Sequence, residues 1–311
     1  MATRKPIYIS SFQQGALKTK IKAAWKKMRS CTLCPRRCKV DRLVGQTGIC
    51  RTGRAAVVAS VGPHFGEEAP LVGRHGSGTI FFTHCSLLCR FCQNFDISHR
   101  GVGEPASPAQ LAEMMLALQG QGCHNINLVT PSHVVPQILA AVAAAVPKGL
   151  SVPLVYNTSG YDQVQTLELL DGVIDIYMPD FKFWDPEVSH AVCRASDYPA
   201  VARAALREMH RQVGDLRLDS DGVAYRGLLV RHLVMPHALA GTPAVMAFIA
   251  REISPDTYVN IMTQYRPCGR AFEDPLLADT PTQGDFEYAL EAARAAGLTR
   301  LDKPRRVFAF F

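Results

Sequence analysis

From Thr79 onward, short β-branched or aromatic runs alternate with stretches of helical period, and this alternation limits the fold more than any other feature of the chain. A strand, an amphipathic helix and another strand in succession build parallel pairs, because parallel neighbours need a long crossover and a helix supplies it. Strands are expected over residues 79–83, 125–130, 152–157, 174–178, 227–235 and 258–264. The first intervening helix carries its own start signal. Ser107 suits the N-cap, Pro108 the first helical position, and Leu111, Met114, Met115 and Leu118 recur at helical spacing. Met114 and Met115 read as core packing. Further helices are expected over 134–146, 163–170, 199–213, 243–253 and 285–296.

Six such units predict an α/β fold, a partial barrel of the TIM type, and 311 residues leave room for one barrel plus a small module. Before Thr79 the texture changes: it is Cys-rich and basic as far as Cys50, then "VGPHFGEEAPLVGRHGSG" is dense in Gly and Pro. The expected division is an amino-terminal Cys-rich module with its bridge over 1–70, and the barrel with a helical carboxy-terminal end over 71–311. No internal repeat of fixed period and no low-complexity segment is present.

With 48% apolar and 20% charged residues the chain is neither disordered nor fibrous. The net charge of +7 favours anionic partners, but basic residues gather only over 18–42 and 300–306, with no aromatics interleaved as in a nucleic-acid stripe. The start, "MATRKPIYISSFQQG", has no apolar leader core, and the longest apolar stretch, 138–146, is too short for a bilayer. A cytoplasmic protein without nucleic-acid or membrane partners is expected. In a reducing compartment, closely spaced thiols signal metal or redox chemistry rather than disulfides. Seven of the 10 cysteines fall between Cys31 and Cys92.

"THCSLLCRFCQN" places Cys85, Cys89 and Cys92 at C-x3-C-x2-C directly after the first strand. Three thiolates on one short loop suit an iron–sulfur cluster, and three leave one iron of a four-iron cluster open to a ligand. The competing reading is a zinc ion that borrows His84 or His99; the spacing is a poor match to paired zinc knuckles. No G-x-S-x-G, P-loop or HExxH motif is present, and no side chain stands out as a nucleophile or acid–base catalyst.

The triad, with aromatic Phe91 before its last cysteine, resembles the radical S-adenosylmethionine (SAM) superfamily. The continuation Cys92-Gln93-Asn94 is similar to the pyruvate formate-lyase activating enzyme branch. "GSGTIFF", "LVTPSHVVP", "LVYNTSGY" and "MPDFK" extend the likeness over most of the chain, closest to a little-characterised subgroup of activase homologues. The resemblance implies a [4Fe-4S] cluster on Cys85, Cys89 and Cys92, SAM on the open iron, Phe91 by the adenine and Asn94 beside the cluster loop.

It also implies roles for the strand ends, where parallel barrels carry their reactive groups. The second ends in "NLVTPSH" where the superfamily often has a Gly-Gly-Glu segment for the SAM amino group. No glutamate is present, so the contact falls to backbone, Thr130, Ser132 or His133, with a helix-capping or packed role for His133 beside it. At the third, Asn157, Thr158 and Ser159 resemble the segment lining the methionyl group and a monovalent cation; a plain turn is the alternative. At the fourth, Asp180 and Lys182 match groups for the cation and the SAM carboxylate. On the fifth, Arg231 matches an arginine near that carboxylate, with His232 the weaker candidate. At the sixth, Gln264, Tyr265 and Arg266 stand where activases have a Pro-Tyr-His-like segment. Cys268 is either a substrate-side thiol or an ordinary buried cysteine.

"CTLCPRRCKVDRLVGQTGIC" adds a quartet, Cys31, Cys34, Cys38 and Cys50, whose four thiolates can close around a zinc ion or an auxiliary iron–sulfur cluster, or stay reduced and unliganded. The implied activity is reductive cleavage of SAM to a 5′-deoxyadenosyl radical that abstracts hydrogen, fed by a low-potential donor such as flavodoxin or ferredoxin. A glycyl radical enzyme is the first substrate considered. A small molecule, peptide or other protein is the second, and a non-catalytic metal scaffold is the third reading.

Overall fold

All six expected strands form, each moved by a few residues, in a computed structural model that describes residues 5–302. They are β2 (Ser77–Phe82), β4 (Ile126–Val129), β5 (Leu154–Thr158), β6 (Ile176–Pro179), β8 (Ala224–Leu233) and β9 (Tyr258–Met262), after β1 (Ala56–His64) and interspersed with β3 (Glu104–Ala106) and β7 (Arg217–Leu218). The order β3-β1-β2-β4-β5-β6-β8-β7, with β9 on β8, makes one mostly parallel nine-stranded sheet among the described residues. Every pair between consecutive members of β2, β4, β5, β6, β8 and β9 is parallel. Every residue of β5 and β6 is buried, as strands covered on both faces must be.

Three strands were not expected, and each pairs antiparallel: β1 on β2, β3 on β1 and β7 on β8. Gly62 and Pro63 argue against a strand, yet β3 covers only Ala56, Val57 and Val58 of β1, so Pro63 sits where no further neighbour needs its missing N–H. Residues on both sides of position 70 thereby share the sheet.

The helix Pro108–Gly120 starts as its sequence dictates. Ser107 Oγ accepts from the Gln110 N–H, and Gln110 Oε1 accepts from the Ser107 N–H. Met115 is fully buried, and Met114 packs partly buried against the same core. Two amino-terminal helices, Ile7–Gln13 and Ala16–Lys27, close the end of the sheet where strands begin. There the Ile7 N–H donates to Asp175 just before β6, and Tyr8 Oη donates to the Val152 carbonyl just before β5. The opposite end, where the parallel strands finish, is left for the site. No helix among the described residues is long and apolar enough to cross a membrane. Residues 1–4 of the amino-terminal segment and 303–306 of the basic run lie outside the described residues.

Candidate functional site

The carboxyl ends of β2, β4, β5, β6, β8 and β9 converge on one cavity of about 710 Å³. Open parallel sheets bind ligands at this end, because the loops leave the strands there side by side. Cys85, Cys89, Cys92, Phe91 and Asn94 reach it from the loop after β2, and Thr130 from the end of β4. Asn157, Thr158 and Ser159 line it from β5, Asp180 and Lys182 from β6, Arg231 from β8 and Gln264 from the turn after β9.

The loop that carries the triad is bent by two non-glycine residues in left-handed conformation, His84 (φ 69°) and Leu88 (φ 57°). Such residues cost about 1–3 kcal/mol each and persist where the surroundings over-determine them. Each of the three sulfurs has a hydrogen-bond partner: Cys85 accepts from the Leu87 N–H at 3.4 Å, Cys92 from Ser98 Oγ at 3.1 Å, and Cys89 from the Cys193 thiol at 3.4 Å. Burial pushes the Cys85 thiol up to about 12. The contact with the Cys193 sulfur, to which the neutral Cys89 thiol can donate in turn, and burial hold Cys89 well above its ordinary value, and burial raises Cys92 against the donation from Ser98. A metal centre here displaces three protons. Among the described residues no three Cys, His, Asp or Glu side chains converge as ligands of a single ion. His99 is stacked on Phe95 with its Nδ1 2.8 Å from Ser98 Oγ, and neither His84 nor His99 lines the cavity.

Across the cavity a polar chain is buried. Lys182 Nζ donates to Asp180 Oδ2 at 2.5 Å, and Arg231 donates through Nε to Asp180 Oδ1 at 2.7 Å and through Nη2 to Asn157 Oδ1 at 2.8 Å. Burial alone would raise the Asp180 carboxyl, but Arg231 and Lys182 outweigh it and hold Asp180 below its ordinary value. Lys182 is held above its ordinary value, with Asp180 and Cys89 overcoming burial. Gly160 makes the geometry accessible: at φ 75° it lets the loop after β5 pass so close to Asp180 that a Cβ would lie 2.3 Å from the Asp180 carbonyl oxygen.

Six of the candidate residues lie elsewhere. His133 is buried behind the triad loop with Nε2 2.9 Å from the Thr83 carbonyl oxygen, and it borders the quartet instead of the cavity. Burial and Arg42 press it down to about 3, so the ring is neutral and Nε2–H donates. Tyr265 is buried, its hydroxyl donating to the Leu277 carbonyl at 2.7 Å and its ring 5.7 Å from that of Phe91. Ser132 is buried too, with its hydroxyl 3.1 Å from that of Thr158. His232 is held on the far face of β8, Nδ1 by the Phe181 carbonyl and Nε2 by Thr242 Oγ1. Arg266 is exposed, and Cys268 stays outside the cavity lining.

The cavity also holds residues that sequence reasoning missed. His64, Glu67 and Glu68 come from the bridge, and Glu68 is buried with Oε1 accepting from Asn260 at 2.9 Å while Oε2 has no hydrogen-bond partner. Arg231 Nε lies 3.9 Å from Glu68 Oε1. The adjacent acidic pair in a Gly- and Pro-rich stretch was the one available signal. Cys193, at the end of the helix Pro186–Cys193, carried none.

The quartet forms a separate site. Cys31, Cys34, Cys38 and Cys50 surround a void of about 10 Å³ together with Leu33, Val40, Arg42, Gly48 and His133. Burial pushes Cys34 up to about 12. Cys50 also borders a cleft shared with Cys85, so the two cysteine sets are neighbours.

No family model matches the sequence. The uncharacterized protein MJ0674 of Methanocaldococcus jannaschii is 30% identical over 290 residues, which cover 91% of this chain and 79% of that protein. The chain belongs to the same family as MJ0674.

Proposed function

We propose that the chain is a radical SAM enzyme, built as a partial barrel of that kind, with Cys85, Cys89 and Cys92 as ligands of a [4Fe-4S] cluster. One observation carries the reading: three thiols, Cys89 buried and Cys85 and Cys92 half-buried, open into the same large cavity as Asn157, Asp180, Lys182 and Arg231. When bound, the cluster supplies the electron that splits SAM into methionine and a 5′-deoxyadenosyl radical. The chain's own part is binding, orientation and electrostatics. Lys182 and Arg231 offer charge to the SAM carboxylate, and Asp180 with Asn157 offers oxygens to a monovalent cation. Phe91 walls the adenine side, and Thr130, which lines the cavity at φ 61°, is the candidate for the SAM amino contact that a Gly-Gly-Glu segment would otherwise make.

The substrate side is the open mouth bordered by His64, Phe65 and Glu67. A glycyl radical enzyme is the first substrate proposed; a peptide, another protein or a small molecule is the alternative. Flavodoxin or ferredoxin is the proposed donor. None of the 10 cysteines is disulfide-bonded among the described residues, which suits a cytoplasmic setting.

The Cys89–Cys193 contact favours a second reading, a closed four-thiolate centre. Cys193 touches Cys89 from behind and does not line the cavity, so we assign it as a hydrogen-bond donor. Anaerobic reconstitution with iron and sulfide, then reduction with SAM present, tests the choice. The first reading expects 5′-deoxyadenosine from the wild type and none from Cys85→Ala. A cluster that binds no SAM and yields no product overturns it.

A further inference from the structure

The two cysteine sets are joined by two arginines of the quartet loop. Arg36, between Cys34 and Cys38, reaches out of the quartet and donates to four backbone carbonyls. Nε meets Ser86 at 2.9 Å, Nη2 meets Leu87 at 3.2 Å and Cys193 at 2.8 Å, and Nη1 meets Arg194. Ser86 and Leu87 lie between the first two triad cysteines, and Cys193 is the residue that donates to Cys89. One guanidinium thus pins the triad loop to the helix behind it.

Arg42 makes the second link. It is 1% exposed and no carboxylate pairs with it among the described residues. Nε and Nη2 donate to the Gly53 carbonyl, Nη1 donates to the His133 carbonyl at 2.7 Å, and the same Nη1 lies 3.9 Å from Cys31 Sγ. His133 in turn donates to the carbonyl of Thr83, where the triad loop begins. A buried guanidinium without an anion is costly. Four metal-bound thiolates supply the missing negative charge, since a dication leaves them a net charge of about −2.

The quartet backbone is also forced into shape. Arg37 (φ 42°), Lys39 (φ 57°) and Arg51 (φ 50°) are left-handed, and a Cβ on Gly48 would lie 2.6 Å from Cys38 Sγ. Strain of this kind persists where something holds it.

We propose that Cys31, Cys34, Cys38 and Cys50 hold a closed thiophilic metal centre, zinc or iron–sulfur, whose task is to fix Arg36 and Arg42 and through them the loop that carries the triad. Loading releases the four thiol protons to solvent. The centre is a positioning device and touches neither substrate nor cofactor. The triad's identity as a cluster site rests on the reading given above; the mechanical link does not.

The test isolates the quartet in the full chain. In a Cys85→Ala/Cys89→Ala/Cys92→Ala variant, only the quartet can bind metal by thiolates in number. Zinc alone, or iron with sulfide, is added, and backbone hydrogen exchange is followed over residues 83–95. One centre per chain is expected, slowing exchange there about tenfold, the scale of a modest change in local opening. Adding Arg36→Gln, or Arg36→Lys in case the first misfolds, should keep the metal and lose the slowing. Exchange in β5 and β6 serves as the folding control. A colourless zinc site and a brown iron–sulfur site both support the proposal. No metal uptake, exchange unchanged by metal, or slowing that survives loss of Arg36 overturns it. If the wild-type triad takes up no cluster while metal still slows exchange in the variant, the radical SAM reading falls and this link stands.

Discussion

Cys34 and Cys85 are equally burdened thiols, each pushed by burial up to about 12. Cys34 faces a void of about 10 Å³ walled by Leu33, Val40 and a fully buried arginine. Cys85 faces about 710 Å³ bordered by Asn157, Asp180, Lys182 and Arg231. A void that small, walled by its own four sulfurs, leaves no room for a substrate beside a bound centre. Four thiols around a closed void and three around an open cavity are what a positioning centre and a reactive centre respectively require. On the proposed reading, the space in front of each set decides what a metal bound there could do.

The largest test of this contrast removes one ligand from each set. Cys85→Ala should bring 5′-deoxyadenosine formation to background while the quartet keeps its metal, as measured by elemental analysis. Cys34→Ser should lose the quartet metal and lower triad iron by about 10–100-fold in retention against a chelator, the range seen when the supports of metal ligands are removed. Equal and complete loss of product at full triad iron would break the comparison, because it would put the quartet in the chemistry itself.

Next in size is the charged wall that only the triad side possesses. Asp180→Asn leaves Lys182 and Arg231 buried against a neutral amide, which is expected to cost about 3–5 kcal/mol in unfolding free energy. Denaturant melts measure it. Asp180 is held low, so its contribution is present above the ordinary carboxylate range and disappears as acid protonates it.

Asp175 sits at the other end of the same strand and behaves oppositely. Burial pushes it up to about 7, against the N–H groups of Ile7 and Leu154 that donate to it. The folded chain therefore holds a proton there that the unfolded chain has lost, and stability should fall as pH rises from the usual Asp range to about 7, then level off. The slope is at most about 1.4 kcal/mol per pH unit. Melts of the wild type and Asp175→Asn across pH 4–8 check it, the variant losing that slope.

The parallel strands were legible because double burial writes them as continuous apolar runs, and Asp180 and Arg231 because a charge inside such a run demands a partner. Cysteine spacing exposed both cysteine-bearing loops. β1 was hidden by Gly62 and Pro63, whose tolerance depends on β3 stopping short. His133 and Tyr265 stood at strand ends but turn away from the cavity, since position along a chain leaves side-chain direction after a bend undetermined. Thr130 makes that bend. Cys193 lies 104 residues from Cys89 and Arg36 lies 157 residues from Cys193, so only tertiary packing brings either into view.

The smallest expected effect is on the electron. A hydrogen bond to a cluster thiolate stabilises the reduced, more negative state, so removing a donor makes the potential more negative. Cys193→Ala deletes the one donor to Cys89 that comes from outside the triad loop, and Ser98→Ala deletes the hydroxyl donor to Cys92. A typical net bond of about 1 kcal/mol corresponds to roughly 40 mV for one electron, and a thiol, as a weak donor, should give less than the hydroxyl. Redox titration followed by electron paramagnetic resonance at the triad cluster measures both shifts. Arg36→Gln sharpens the comparison, because it releases the Cys193 carbonyl without removing the thiol. A shift like that of Cys193→Ala would mean that the quartet acts by placing this donor. No shift, with slower cluster retention, would mean that it acts on the loop alone.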